Sequence, residues 1–292
     1  MKRARLIYNP SAGREEVRKR IPDILNVLEE AGYETSCHAT KGEGDATLAA
    51  RKAVESRFDL VIAAGGDGTV YEVINGIAEQ RYRPALGIIP AGTTNDFARA
   101  IGLPRSIMKA VGVIAKGTPS PIDIGKINNK YFINIAGGGM LTTLTYEVPS
   151  KVKTMLGQLA YYIKGIEKLP FLSPMHVRFE VNGRVIDEEI MLFLIANSNS
   201  VGGFEKLAPN AKLNDGLFDC IILKKTSLPE FIRIATMALK GDHFKHPNII
   251  YFQAKQLKAT STERVDLNLD GELGSSLPCT FTALPRHIQL IR

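Results

Sequence analysis

The sequence predicts two domains: an N-terminal α/β domain on a parallel sheet, and a larger C-terminal β-rich, sandwich-like domain, with the working cleft between them. Three observations carry this expectation. Through the first third, apolar strand-like runs alternate with helical periodicity, and the order βαβαβα implies parallel strands joined by crossover helices. From about Pro121 the texture changes to short segments rich in β-branched and aromatic residues. The turns after the N-terminal strands are rich in Gly, Ser, Thr, Asn and Asp, and in such sheets ligands lie beyond the carboxyl ends of the strands.

Ala4–Tyr8 is the expected first strand, broken by Asn9-Pro10-Ser11-Ala12-Gly13. A helix is expected over Arg14–Ala31, where Ile21, Ile24, Leu25 and Leu28 recur at i, i+3, i+4 and i+7; Gly32 closes it and Pro22 shortens or kinks its start. Tyr33–Ala39, Phe58–Ala64 and Ala85–Ile89 read as further strands, with Asp45–Ser56 and Val70–Ala78 as helices between them. In the second domain Tyr131–Ala136, Val177–Val181, Ile190–Ala196, Leu217–Leu223, Ile249–Phe252, Val265–Leu269 and Thr280–Leu284 are strand-like. Helices are expected there over roughly Ser150–Leu169 and Leu228–Lys240. The expected boundaries are 1–122 for the first domain and 123–285 for the second.

The 292 residues are 45% hydrophobic and 23% charged, which suffices for a sizeable core. Cys37, Cys220 and Cys279 are odd in number and lack Cys-x-x-Cys spacing, which disfavours a disulfide framework or a zinc ribbon and fits a reducing cytoplasm. The basic start Met1–Arg5 precedes too short an apolar run for a signal peptide. The densest apolar run, Ile190–Ala196, falls far short of the roughly eighteen residues of a membrane span, so any membrane contact is expected to be peripheral. A net charge of +7 favours an anionic partner, whether nucleic acid, phosphate-bearing substrate or acidic lipid surface, and by itself does not choose among them. Nucleic acid is not expected, since no Arg/Gly tract, zinc-finger spacing or RNA-recognition signature is present.

The first domain is organised around Leu60-Val61-Ile62-Ala63-Ala64-Gly65-Gly66-Asp67-Gly68-Thr69, a buried strand running into a glycine turn. Two uses fit that turn: ordinary punctuation between strand and helix, or an anion cradle in which backbone N–H groups face phosphates and Asp67 holds Mg²⁺ directly or through water. Four turns share the carboxyl edge of the sheet: Asn9–Gly13, Thr40 onward, Gly65–Thr69 and Pro90–Asp96. Together they supply the amides, hydroxyls and carboxylates that a nucleoside triphosphate requires. Neither Gly-x-x-x-x-Gly-Lys-Ser/Thr nor a usable Gly-x-Gly-x-x-Gly is present, which disfavours a Walker ATPase or a Rossmann dehydrogenase.

Asn9–Gly13, Gly65–Thr69 and Pro90-Ala91-Gly92-Thr93-Thr94-Asn95-Asp96-Phe97-Ala98-Arg99 resemble the signatures of the diacylglycerol kinase catalytic-domain family. The resemblance extends through Asp123-Ile124-Gly125, Phe132–Gly139, Leu213-Asn214-Asp215-Gly216 and Leu269-Asp270-Gly271-Glu272, in the order seen in soluble diacylglycerol kinases of Gram-positive bacteria. It implies ATP contacts from Asn9, Pro10, Ser11, Ala12, Gly13, Thr40, Gly65, Gly66, Asp67, Gly68, Thr69, Val70, Tyr71 and Thr93. It implies a structural Mg²⁺ on the Asp215 carboxylate and on oxygens of Lys212 and Leu217, which must be backbone carbonyls because an ammonium has no lone pair to give. It also implies that Glu272 accepts the proton of the lipid hydroxyl, with Asp270 sharing or assuming that role, and that 286–292 rejoin the first domain. A homodimer is the family expectation. Ala12 departs from the serine of many relatives, and Tyr71 from an expected amide side chain, so adenosine contacts differ in detail.

The residues alone leave alternatives open. Asp270-Gly271 is also a strong hairpin signal, and Asn214-Asp215-Gly216 a plausible turn without function. The lysine-bearing helix Lys151–Lys168 suits packing on the β domain or contact with anionic lipid, and Asn199–Phe204 is a glycine-rich turn that suits a border of the lipid entry. His243 and His246 read as loop residues. The expected activity is ATP-dependent phosphorylation of 1,2-diacylglycerol to phosphatidic acid at a membrane surface. The alternatives are a long-chain base or phosphatidylglycerol as acceptor, an NAD kinase, or a non-catalytic nucleotide or lipid sensor.

Overall fold

A computed structural model describes residues 1–139, 174–199 and 206–292; the expected helix over 150–169 and all but the first residue of the 199–204 turn lie outside them. Two compact units result, Met1–Asp123 with Arg286–Arg292, and Ile124–Pro285.

In the first unit, strands β1 (Lys2–Tyr8), β2 (Tyr33–Ala39), β3 (Leu60–Gly65) and β4 (Ala85–Pro90) lie in the order β2-β1-β3-β4, all parallel. Alternate side chains of these strands point to opposite faces. Ala4, Leu6, Leu60, Ile62 and Ala64 pack on one face with Ile24, Leu28, Val111 and Ile114, from α2 (Ile21–Glu30) and α6 (Ile107–Lys116). The other face carries α3 (Asp45–Glu55) and α4 (Asp67–Ile77), two helices that also pack against each other. A sheet covered on both sides explains why β3 is apolar throughout and buried at all six positions.

The first helix differs from expectation. Instead of one helix over 14–31, the chain forms a 3₁₀ turn at Ala12–Glu15, a short α1 (Glu16–Lys19) and then α2. Pro22 is the cause: lacking an N–H, it cannot bond back one turn, so the chain breaks at Arg20 (φ −101°, ψ 5°) and restarts with proline in the first turn. The short α5 (Asp96–Ala100) follows the Pro90–Asp96 turn.

The chain leaves this unit along β5 (Pro119–Ile127). The second unit is antiparallel: β6 (Lys130–Phe132), β7 (Ile135–Gly139), β8 (Met175–Val181), β9 (Arg184–Ala196), β10 (Phe218–Lys224), helix α7 (Leu228–Lys240), β11 (Ile249–Ala254), β12 (Gln256–Ser261), β13 (Asp266–Leu269) and β14 (Glu272–Ser276). The long β9 pairs β8 along its first half, and β7 and β10 along its second. Its polar first half, Arg184–Glu189, was expected to lie outside the strand; it is held there by a hairpin through Asn182-Gly183, both at positive φ. Phe179, Phe193 and Phe281 form an edge-to-face chain in the core. The last strand, β15 (Cys279–Ile291), starts beside β12 and ends beside β4, where Leu290 lies parallel to Leu86. At the exit and re-entry of the first unit, the buried Asp123 carboxylate accepts the Arg286 N–H at 2.6 Å.

His243 and His246 lie in the connection between α7 and β11, as expected, His243 in a 3₁₀ turn (His243–Lys245) and His246 just after it, and both are buried. His246 Nδ1 accepts the Asn248 N–H, which leaves Nε2 to donate to Glu230 at 2.5 Å.

Candidate active site

In the first unit, β3 runs to Gly65 and α4 begins at Asp67, so only Gly66 separates strand from helix. The helix therefore starts three residues before the expected Val70, with the Thr69 and Val70 N–H groups both donating to the Gly66 carbonyl at 3.0 and 3.2 Å. Asp67, Gly68 and Thr69 form its first turn, where backbone N–H groups and the helix dipole favour an anion.

Three of the expected phosphate turns are packed against one another by backbone. A Cβ on Gly92 would stand 2.5 Å from the Gly66 Cα, and one on Gly13 would stand 2.9 Å from the Ala91 carbonyl oxygen. Only glycine allows that approach. The Asn9 N–H donates to Ala64 and the Ala91 N–H to Gly65, at 3.0 and 2.8 Å, which ties both neighbouring turns to the end of β3. Asn9 and Asn95 then shape their own turns. Asn9 Oδ1 accepts from the Ser11 N–H and hydroxyl (3.0 and 2.8 Å), while Asn95 accepts from Gly92 N–H at 2.9 Å and donates back to its carbonyl at 2.7 Å. Thr40 is joined to this edge by its N–H on Tyr8, at 2.9 Å. Ser11, Gly13 and Thr93 are exposed; Asn9, Pro10, Ala12, Thr40, Gly66, Asp67, Gly68 and Tyr71 are partly buried; and Gly65, Thr69 and Val70 are buried.

Asp67 is the electrostatic centre of this arrangement. Burial, and then the like charge of Asp96, push its carboxyl up to about 6, against backbone N–H groups of Asp96, Phe97 and Asn95 that favour the ionised form. Asp96 itself pairs with Arg99 at 2.8 Å. Asp67 opens α4 and Asp96 opens α5, and two carboxylates near enough to repel are hard oxygen donors whose repulsion a divalent cation relieves, so these residues fit Mg²⁺. Glu72, one turn further along α4, was not singled out from the sequence: its carboxylate accepts the Gly44 and Ala46 N–H groups at 3.0 and 2.9 Å and so positions the start of α3.

In the second unit, Leu269 pairs with Glu272, so Asp270-Gly271 is a two-residue hairpin turn with φ of +52° and +97°. The hairpin reading of the sequence is correct, and the turn also carries a second device. The Asp270 carboxylate accepts three backbone N–H groups, Ile133 at 2.7 Å, Asn134 at 2.9 Å and Ile135 at 2.8 Å. This is why the expected strand over 131–136 splits into β6 and β7: the amides between them bond to a carboxylate instead of a neighbouring strand. Around it lie Asn134, whose side chain accepts from the Ser198 hydroxyl, and Asn197, which donates to the Ile133 carbonyl at 2.7 Å. Asn268 Oδ1 takes the Gly271 N–H at 2.8 Å. Glu272, first residue of β14, is exposed.

The loop of Lys212, Asp215 and Leu217 is also in this unit. Asp215 is exposed and accepts the Leu217 N–H at 3.0 Å, closing its own turn. Nearby, Asp219 is buried and accepts from Tyr251 and Gln253 at 2.5 and 3.3 Å; burial pushes its carboxyl up, and Asp215 adds to that. Asp219 was missed because a lone acid within the apolar run Phe218–Leu223 has no motif around it. No group of three or more His, Cys, Asp or Glu side chains poised for a metal occurs among the described residues. A cation on this loop therefore relies on backbone oxygens beside one carboxylate, a donor set that suits Mg²⁺ or Ca²⁺.

Residues 3–127 match the diacylglycerol kinase catalytic domain, and residues 141–292 match the YegS C-terminal NAD kinase beta sandwich-like domain. The chain is 59% identical over 292 residues to a diacylglycerol kinase of Bacillus subtilis (strain 168), covering 100% of this chain and 96% of that protein. It is 53% identical over 289 residues to a diacylglycerol kinase of Staphylococcus epidermidis (strain ATCC 12228), covering 99% and 92%. A crystal structure of a diacylglycerol kinase from Bacillus anthracis str. Sterne superposes with a TM-score of 0.85 at 32% identity, covering 99% of this chain and 96% of that one.

Proposed function

This chain belongs to the diacylglycerol kinase family and is a lipid kinase, and from that premise we propose that it transfers the γ-phosphoryl group of ATP to the free hydroxyl of 1,2-diacylglycerol, giving phosphatidic acid and ADP at a membrane surface. The observation that carries the reading is the backbone-packed cluster of the Asn9–Gly13, Gly65–Thr69 and Pro90–Asp96 turns around the Asp67 carboxylate.

The roles follow from what each group has to offer. Backbone N–H groups of the glycine turns and the first turn of α4 bind the phosphates. Asp67 and Asp96 would hold Mg²⁺, as would Asp215 with the Lys212 and Leu217 carbonyls, and the cation would supply charge neutralisation at the phosphates. The lipid hydroxyl oxygen bonds to the γ-phosphorus as the bond to the bridging oxygen breaks, and its proton passes to the Glu272 carboxylate. Asp270 is not free for that proton, because its oxygens already receive three amides; it fixes the 133–135 backbone under the hairpin that presents Glu272.

The test is transfer of labelled phosphate from MgATP to diacylglycerol, long-chain base, phosphatidylglycerol and NAD⁺, with the lipids in mixed micelles. Preferential labelling of diacylglycerol is expected. Preferential labelling of another acceptor would overturn the substrate, and tight ATP binding with no labelling at all would overturn the transfer.

A further inference from the structure

The loop that carries Lys212, Asp215 and Leu217 is tied at both ends to one tyrosine. Just before Lys212, the Asn210 side chain donates to the Tyr251 hydroxyl oxygen, and just after Leu217, the Asp219 carboxylate accepts the Tyr251 O–H at 2.5 Å. Asn210 is exposed and Asp219 is buried, so a single hydroxyl links the surface end of the loop to the strand that follows it.

Tyr251 is itself held in place. Strands β10 and β11 pair with Asp219 opposite Gln253 and Ile221 opposite Tyr251, which sets Tyr251 one diagonal step from Asp219 on the same face. Gln253 donates to the second Asp219 oxygen at 3.3 Å, so both oxygens of this buried carboxylate are met. The Tyr251 ring packs on Phe244 with centroids 4.6 Å apart, and Phe244 lies against His243 at 4.0 Å. His243 Nε2 donates to the Leu207 carbonyl at 3.0 Å. Residues between α7 and the end of β11 therefore grip the loop and its approaches at Leu207, Asn210 and Asp219.

A cation on this loop would take backbone carbonyls beside one carboxylate, so its affinity depends on how well the loop is ordered before the cation arrives. Asp215 closes only its own turn, through the Leu217 N–H. The wider closure, from Asn210 to Asp219, runs through Tyr251. We propose that Tyr251 is the positioning residue of this loop, holding Asn210 and Asp219 so that the Lys212 and Leu217 carbonyls and the Asp215 carboxylate are gathered for a divalent cation. The proposal rests on the reading of the loop as a cation site and names the side chain that orders it.

The experiment follows the melting temperature of the nucleotide-free full chain against MgCl₂ for the wild type, Tyr251→Phe, Asp215→Asn and the double variant, with turnover measured against free Mg²⁺ in parallel. Tyr251→Phe keeps the ring on Phe244 and removes only the hydroxyl. It should raise the Mg²⁺ concentration at half-maximal shift about 10-fold, with kcat recovered at saturating Mg²⁺. Asp215→Asn should remove the shift that this loop contributes, and adding Tyr251→Phe should then change the Mg²⁺ response no further. A wild-type Mg²⁺ response in Tyr251→Phe, or a further loss of that response in the double variant, would overturn the proposal while leaving the cation site standing. A wild-type shift untouched by Asp215→Asn would overturn the cation reading of the loop, and the role of Tyr251 with it. Asn210→Ala, at an exposed position, should raise the half-maximal concentration in the same direction and keeps the test available if Tyr251→Phe does not fold.

Discussion

Two glycine turns in this molecule each carry an aspartate, and their electrostatics are opposite. Asp67 sits at the start of α4 beside a second acid, with its carboxyl pushed up to about 6. Asp270 sits in a hairpin and receives three short backbone N–H bonds. The first is a charge that burial and a neighbouring acid oppose more strongly than its backbone N–H groups favour it; the second is a carboxylate met by three short backbone N–H bonds. Similar residues in similar turns therefore differ in what surrounds them, and on the function proposed above one would serve a cation and phosphate while the other holds the backbone.

The comparison breaks most visibly in turnover. Asp67→Asn should lower kcat at least 100-fold on diacylglycerol while raising metal-free stability near neutral pH by roughly 1–3 kcal/mol, because the variant removes a buried charge beside Asp96. Loss of activity without a rise in melting temperature would contradict the poised-charge account. Asp270→Ala should do the reverse to stability, costing about 2–4 kcal/mol by leaving three amides without their acceptor. Faster hydrogen exchange at Ile133–Ile135 would localise that loss. A smaller effect is expected from Gly92→Ala, whose new Cβ would meet the Gly66 backbone at 2.5 Å; ATP affinity should fall together with melting temperature.

The smallest effect is in pH. Asp67 in the folded protein titrates at about 6 rather than 3.8, so between those values the folded state holds more protons than the unfolded one. Stability of the metal-free chain should therefore fall as pH rises through that window and level off above it. Denaturant midpoints across the window test this, and Asp67→Asn should flatten the slope.

Much of this was legible in the sequence because its causes are local. Periodicity placed Leu228–Lys240 as a helix, and the apolar run with its glycines placed β3 and the turn that follows. Where causes are distant, the sequence is silent. Nothing near Ile133 shows that a carboxylate 137 residues away takes its N–H, and so the break between β6 and β7 was invisible. The polar half of β9 and all of β12 were missed because one face of each strand is solvated, which makes them read as loop. At the site, the motif residues of the first unit were legible as types; Glu72 and Asp219 were not, because their roles depend on partners brought by the fold.

The central claim is that Glu272 takes the lipid proton while Asp270 only holds the backbone beneath it. The most direct measurement is kcat against pH for wild type, Glu272→Gln and Asp270→Asn on diacylglycerol in mixed micelles at saturating MgATP, with ATP binding checked in parallel. Glu272→Gln should lose about 100-fold or more in kcat with ATP affinity retained, and Asp270→Asn should keep the wild-type pH profile at reduced stability. A lost acidic limb in Asp270→Asn, with Glu272→Gln near wild-type turnover, would contradict it and make Asp270 the base.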